Sequence, residues 1–237
     1  MAKKAILIRH DGNPPDDRVY TWFATRGFEP VVVRPYAGEA LGEPDDEVVG
    51  TVLFGGPYNA YDAELHPFLN DEYRWIGACL ARGLPILGIC QGAHMLAYHL
   101  GAEAGPAPHG RFEFGFYELT PTAAGADLFP DPFVVGEKHF HTFSIPKDGV
   151  CLAGSADFPN QAFSYGNNVY GLQFHAEVTI EGFRRWQRAP DAPYDRAGAQ
   201  PRAEQERLMM RHDGAVADWF YGFMDHLFAP ASAAVPA

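Results

Sequence analysis

The sequence predicts an α/β fold, a three-layer sandwich in which a mixed, mainly parallel sheet is covered by helices on both faces. Three observations carry this. Short apolar runs alternate with helical stretches over residues 5–101, the spacing of parallel crossovers. Residues 112–174 instead hold short β-like runs divided by turn residues, so this half is expected to add antiparallel strands. The chain has 237 residues and is 47% hydrophobic, enough for the core of one domain over residues 1–237.

Taken in order, Ala5 to Ile8 is an apolar run bounded by polar residues and reads as a buried strand. A polar stretch with Gly12 and Pro14-Pro15 leads into a helix from Asp16 to about Arg26, stopped by Gly27. Val31 to Val33 is β-branched, the next strand. Thr51 to Phe54 is a third, ending at Gly55-Gly56-Pro57. A helix from about Leu69 to Ala81 stops at Gly83, Pro85 to Ile89 is a fourth strand, and Gln91 to Leu100 is a helix ending at Gly101. Phe112 to Thr120, Phe133 to Val135, Val150 to Leu152 and Ala162 to Tyr165 are the short β-like runs, followed by a strand from Val169 to Phe174. Residues 188–203 are rich in Pro and Gly and read as a loop or a lid. Glu204 to about Phe228 reads as helical with a break near Gly214, and the tail 229–237 as frayed.

Eighteen Lys and Arg against 30 Asp and Glu leave a net charge of −12, which argues against a nucleic-acid or anionic-membrane binder. No run of apolar residues is long enough to span a bilayer, and the short run after Lys4 is no signal peptide. Cys79, Cys90 and Cys151 are odd in number and form no CxxC pair, which suits a reducing cytoplasm where one thiol stays free. HExxH and zinc-type His/Cys spacings are absent, so no metal and no cofactor is expected. No glycine-rich phosphate loop with a Lys follows a strand, so an ATP-using synthetase half is not expected in this chain.

Three motifs carry chemistry. In Pro85-Ile-Leu-Gly-Ile-Cys90-Gln-Gly-Ala-His94 a cysteine stands at an abrupt strand-to-helix junction flanked by Gly88 and Gly92. Small neighbours permit the tight turn of a nucleophile elbow, and the helix N-terminus behind it favours a thiolate and an oxyanion. The competing reading is a buried cysteine packed as a small hydrophobe, and it wins for Cys79 and Cys151, which lack such flanks. In Gln173-Phe-His175-Ala-Glu177 an extended segment sends His175 and Glu177 to one side, a base with an orienting carboxylate; taken alone, a surface pair at a strand end is the favoured reading. In Phe54-Gly55-Gly56-Pro57 the glycines let the backbone turn an N–H toward a substrate. The Gly56 and Gln91 amides are then candidates for an oxyanion hole. Two of these motifs end strands expected to be parallel, the sheet edge where open α/β folds place their sites.

Together the Gly-Gly-Pro loop, the Gly-Ile-Cys-Gln-Gly elbow and the Gln-Phe-His-Ala-Glu ending resemble the class I (triad) glutamine amidotransferases, in particular stand-alone proteins similar to the glutaminase domain of GMP synthase. The resemblance runs from about Ile6 to Thr179 and takes in Glu113-Phe-Gly-Phe116 and Asn160-Gln-Ala-Phe163. It implies a flavodoxin-like class I amidotransferase fold. It also implies a mechanism in which Cys90 attacks a γ-carboxamide to give a γ-glutamyl thioester, His175 moves the protons, Glu177 holds His175, and the oxyanion rests on the Gly56 and Gln91 amides. His94 stands where the family has a glutamine-binding Gln, which favours a γ-glutamyl compound over free glutamine while leaving both open as substrate. Lys138-His-Phe-His141-Thr-Phe143 resembles a shortened form of the family's His-x-Gly-Asp segment. By that resemblance His141 and Phe116 join His94 as substrate contacts; otherwise His139 and His141 are a partly exposed strand-edge pair.

The leading expectation is a cysteine-dependent hydrolase of a γ-glutamyl amide, glutamine or another γ-glutamyl compound. A glutaminase subunit feeding ammonia to a separate synthetase and a catalytically silent binding or regulatory homologue stay open, as does a homodimer.

Overall fold

The first half of the sheet explains where the site lies. A computed structural model describes residues 3–228, so the tail expected over 229–237 lies outside the described residues. Strands β1 (Lys4–Ile8), β2 (Glu29–Val33), β3 (Val48–Leu53) and β4 (Ile86–Ile89) alternate with helices α1 (Arg18–Thr25), α2 (Phe68–Ala81) and α3 (Gln91–His99). Next come β5 (Ala104–Pro106), β6 (Glu113–Pro121), β7 (Phe133–His139), β8 (His141–Phe143), β9 (Gly149–Gly154), β10 (Ala162–Tyr165) and β11 (Val169–Leu172). Helices α4 (Ile180–Arg188) and α5 (Arg202–Phe228) close the chain.

Nine strands form one sheet in the order β2-β1-β3-β4-β11-β10-β9-β6-β7. The five from β2 to β11 are parallel, and the remaining pairs are antiparallel, the mixed sheet expected from the change of pattern after residue 101. A short β5–β8 hairpin lies apart.

Period-two alternation assigns the two cores. Ala5 and Leu7 of β1 face one side, where Val19, Trp22 and Phe23 of α1 and Phe220, Met224 and Phe228 of α5 cover them. Ile6 and Ile8 face the other side, against Leu69, Trp75 and Ile76 of α2 and Ala93 and Leu96 of α3. Each such buried large side chain contributes about 1.5–3 kcal/mol. The Trp22, Phe23 and Phe228 rings lie within 6.1 Å of one another, which ties α1 to the end of α5. This is the three-layer sandwich the sequence predicts.

Three features differ from expectation or extend it. Helix α5 passes through Gly214 without a break. Gly214 is exposed, and Met209 before it and Val216 and Phe220 after it are buried, so packing outweighs the ~1 kcal/mol that a helix glycine costs. Helix α4 was not legible as a separate element. The 188–203 excursion is strapped to the free edge of β6. Phe112 N–H donates to Ala197 O, Gln200 N–H to Phe114 O, and the Gln200 side chain bonds both N–H and C=O of Phe116. It therefore acts as a fixed wall that also covers a sheet edge.

Candidate active site

Cys90 stands at the C-terminal end of β4, at the start of α3. Its backbone has φ 52° and ψ −109°, a conformation L-residues avoid. The glycines around it make the turn possible. A Cβ on Gly92 would lie 2.1 Å from Leu53 O, and one on Gly88 2.5 Å from Gly92 O. The elbow thus needs backbone-to-backbone contact that only glycine allows. Cys90 is buried but lines a cavity of about 810 Å³ along the C-terminal sheet edge.

The same cavity brings in the other two motifs. His175 and Glu177 lie just beyond β11, beside β4, and His175 Nδ1 donates to Glu177 Oε1 over 2.8 Å with both side chains buried. The surface-pair reading therefore fails. Gly55 passes between the reactive groups: a Cβ there would meet His175 Cε1 at 3.1 Å and Cys90 Cβ at 3.4 Å. Burial opposes charge on His175, but Glu177 and the Cys90 side chain outweigh it and hold the imidazolium up to about 10. Nδ1 is committed to Glu177, which leaves Nε2 for the thiol. The segment is anchored from behind, since Arg18 N–H donates to Glu177 O and the Arg18 guanidinium to Ala176 O and to Asp213.

Gly56 and Gln91 lie side by side in the cavity wall. A Cβ on Gly56 would lie 2.7 Å from Gln91 Oε1, and that oxygen accepts from Tyr58 N–H at 2.8 Å. Among the described residues, neither the Gly56 nor the Gln91 N–H makes a hydrogen bond. Gly56 rests on His10, whose Cβ would be 2.4 Å from such a Cβ. His10 in turn bonds Phe54 O at 3.1 Å and the Glu72 carboxylate at 2.9 Å, both partners buried. His10 and Glu72 were missed from the sequence. The signal that could have found His10 is its place just past the end of β1, on the same edge as Cys90.

His94 lines the cavity one helical turn from Cys90, and its Nε2 lies 2.7 Å from Gln173 Oε1. Burial pushes its pKa down to about 3, with the Gln173 bond offsetting only part. It is a neutral imidazole donating to Gln173, and its remaining polar atom, Nδ1, is an acceptor. His141 also lines the cavity, its ring 5.9 Å from that of His94. Phe116 does not. It is buried against Phe183, ring centroids 4.8 Å apart, behind the cavity wall. Outward and inward side chains alternate along β6, and this one turns toward α4.

His139 is buried, which corrects the reading of a partly exposed pair. Its Nε2 lies 2.9 Å from Glu113 Oε2 and 3.3 Å from Glu137 Oε2, and Nδ1 donates to His141 O. Burial opposes its charge, but the two carboxylates hold it protonated up to about 10. Glu113, Glu137 and His139 bring their ligand atoms within 4.8 Å, the spacing of a metal site. An imidazolium donating from both nitrogens has no lone pair for a metal, so the cluster reads as a hydrogen-bonded core of β6, β7 and β10. Ser155 and Gln161 complete it with 2.7 Å bonds to Glu113.

The description "Glutamine amidotransferase class-I" matches residues 19–185, most of the chain and both halves of this site. The chain belongs to the class I glutamine amidotransferase family. It is 34% identical over 168 residues to the glutamine amidotransferase-like protein YfeJ of Salmonella typhimurium, covering 68% of this chain and 70% of that one. It is 33% identical over 151 residues to the glutamine-hydrolyzing GMP synthase of Porphyromonas gingivalis, covering 62% of this chain and 28% of that one. A solved glutamine amidotransferase of Thermotoga maritima superposes with a TM-score of 0.86 at 28% identity, over 97% of this chain and all of that one. The fold expected of this class I amidotransferase is therefore the one found. No described helix is long and apolar enough to cross a membrane.

Proposed function

We propose that this family member hydrolyses a γ-glutamyl amide through a γ-glutamyl thioester on Cys90. The observation that carries the reading is the convergence of Cys90, the buried His175–Glu177 pair and two unused backbone amides at one cavity. The thiolate attacks the γ-carbonyl carbon, and the oxyanion takes the Gly56 and Gln91 N–H groups. His175 gives its Nε2 proton to the leaving nitrogen as the C–N bond breaks. It then takes a proton from water, whose oxygen attacks the thioester, and glutamate leaves as the Cys90 thiolate and the protonated imidazole are regenerated. Glu177 keeps Nδ1 protonated throughout. His94 and His141 bind the substrate, and a neutral His94 accepting at Nδ1 cannot offer the donor and acceptor of an amide. That supports a γ-glutamyl compound other than free glutamine.

A second reading follows from GMP synthase, of which the chain spans about a quarter: a glutaminase passing ammonia to a separate synthetase. The complete triad argues against a silent homologue.

Glutamate release from glutamine and a series of γ-glutamyl amides, by the protein and by Cys90→Ala, tests the proposal. Release that survives in Cys90→Ala, or none from any γ-glutamyl amide, overturns it.

A further inference from the structure

The cavity carries more charge than a small amide requires. Its volume of about 810 Å³ falls in the ~300–1,000 Å³ range of sites that enclose drug-sized ligands, well above the needs of one free amino acid. Two of the arginines in its wall are already neutralised: Arg9 pairs with Asp17, and Arg185 with Asp16 at 2.7 Å. Among the described residues, Lys138 and Arg196 of the wall form no ion pair. Arg196 is exposed at the rim on the excursion, whereas Lys138 is half-buried on β7. Burial lowers the Lys138 pKa, and Asp191, the Cys90 side chain and Asp11 offset this only at a distance, none of them pairing with the ammonium.

The position of Lys138 says which part of a substrate it would meet. Its Nζ lies 5.4 Å from the centre of the Trp186 ring, and that ring lies 4.7 Å from the His175 ring. His175 is the group that protonates the departing nitrogen. Lys138 and Trp186 therefore flank the leaving side of the scissile amide. His94 and His141, on α3 and β8, line the same cavity next to each other, with Tyr61 stacked on His141 at 6.5 Å.

We propose that the substrate is a γ-glutamyl amide whose amine portion carries its own carboxylate, as in a γ-glutamyl dipeptide, and that Lys138 binds that carboxylate. The aliphatic stem of the lysine and the Trp186 face give the leaving portion an apolar wall ending in one positive charge. This rests on the γ-glutamyl hydrolase reading above. Lys138 is a specificity residue and moves no proton in the reaction.

The test measures kcat and KM for glutamine, γ-glutamylmethylamide and γ-glutamylglycine with the protein, Lys138→Met and Lys138→Arg. Methionine keeps the apolar stem against Trp186 and removes the charge; arginine restores it. The protein should favour γ-glutamylglycine over the methylamide by roughly tenfold or more in kcat/KM. Lys138→Met should lose roughly 10–100-fold on γ-glutamylglycine, mainly through KM, the contribution of a hydrogen bond to a charged group. Its loss on the two uncharged leaving groups should be at least tenfold smaller, and Lys138→Arg should recover most of the difference. Equal losses on all three substrates would overturn the proposal and place Lys138 on the glutamyl portion or in the scaffold. Turnover of all three without preference for the acid would overturn it while leaving the hydrolase reading intact. No turnover of any of the three would overturn both.

Discussion

Replacing Glu177 by Gln isolates one charge in the site. The amide oxygen can still accept from His175 Nδ1 across the present 2.8 Å, so the tautomer and ring orientation survive. What is lost is the negative charge opposite the imidazolium. A hydrogen bond to a charged group contributes about 1.5–3 kcal/mol and a neutral one about 0.5–1.5. The difference of about 1–2 kcal/mol predicts a fall of roughly 5–30-fold in kcat/KM. His175→Asn removes the proton carrier itself and should cost about 10²–10⁴-fold. The pH profile adds a second readout. Glu177 and Cys90 hold the imidazolium protonated up to about 10, so removing the carboxylate must lower that pKa. The imidazolium is then lost at lower pH, and the alkaline limb of kcat/KM moves toward neutrality. Stability should change little, because Glu177 Oε2 is buried without a partner and its desolvation cost disappears with the charge. Steady-state glutamate release from neutral to alkaline pH measures all of this. Glu177→Gln within about twofold of the parent with an unmoved alkaline limb would refute the role of the pair.

Four further outcomes follow from the same structure. Cys90→Ser and Cys90→Ala should fold and show no turnover, and iodoacetamide should label Cys90 ahead of Cys79, whose thiol burial pushes up to about 12; peptide mapping checks this. His94→Gln should shift kcat/KM toward free glutamine, whereas an unchanged ratio across substrates with a lower Tm would make His94 a scaffold residue. Gly92→Ala forces a Cβ to 2.1 Å from Leu53 O and should cost about 1–3 kcal/mol, a fall of roughly 2–12 °C in Tm by calorimetry. Burial raises the Glu137 carboxyl from 4.5 to about 7, so the folded state holds its proton more tightly than the unfolded chain. The stability this gives is present below pH 4.5 and lost as pH rises through 7, so Glu137→Gln should gain stability over the parent across that window and hold it above; thermal melts at several pH values check the sign.

Much of this was legible because local chemistry and global fold agree. Gly88 and Gly92 around Cys90 make sense only where backbone passes backbone, and the structure shows Gly92 against Leu53 O. The strand ends at Phe54 and Ile89 pointed to one edge because parallel strands share a direction. What stayed hidden depends on contacts between residues distant in sequence. Nothing near His10 announces Glu72, 62 residues on, and nothing near His94 announces Gln173. Phe116 sits in a motif that resembles a substrate-binding one, yet its direction is fixed by Phe183 of a helix whose short pattern was not separable from the loop after it. The excursion was readable as irregular from its prolines, but not as fixed, because its anchors are backbone bonds to β6.

The most direct test of the central claim is the covalent state of Cys90 during turnover. The protein mixed with a γ-glutamyl amide and quenched in acid within one turnover should carry a γ-glutamyl group on the peptide containing Cys90. Hydroxylamine added during turnover should divert that group to γ-glutamyl hydroxamate, and Cys90→Ala should give neither product. Glutamate release with no adduct on Cys90 and no hydroxamate would contradict the account.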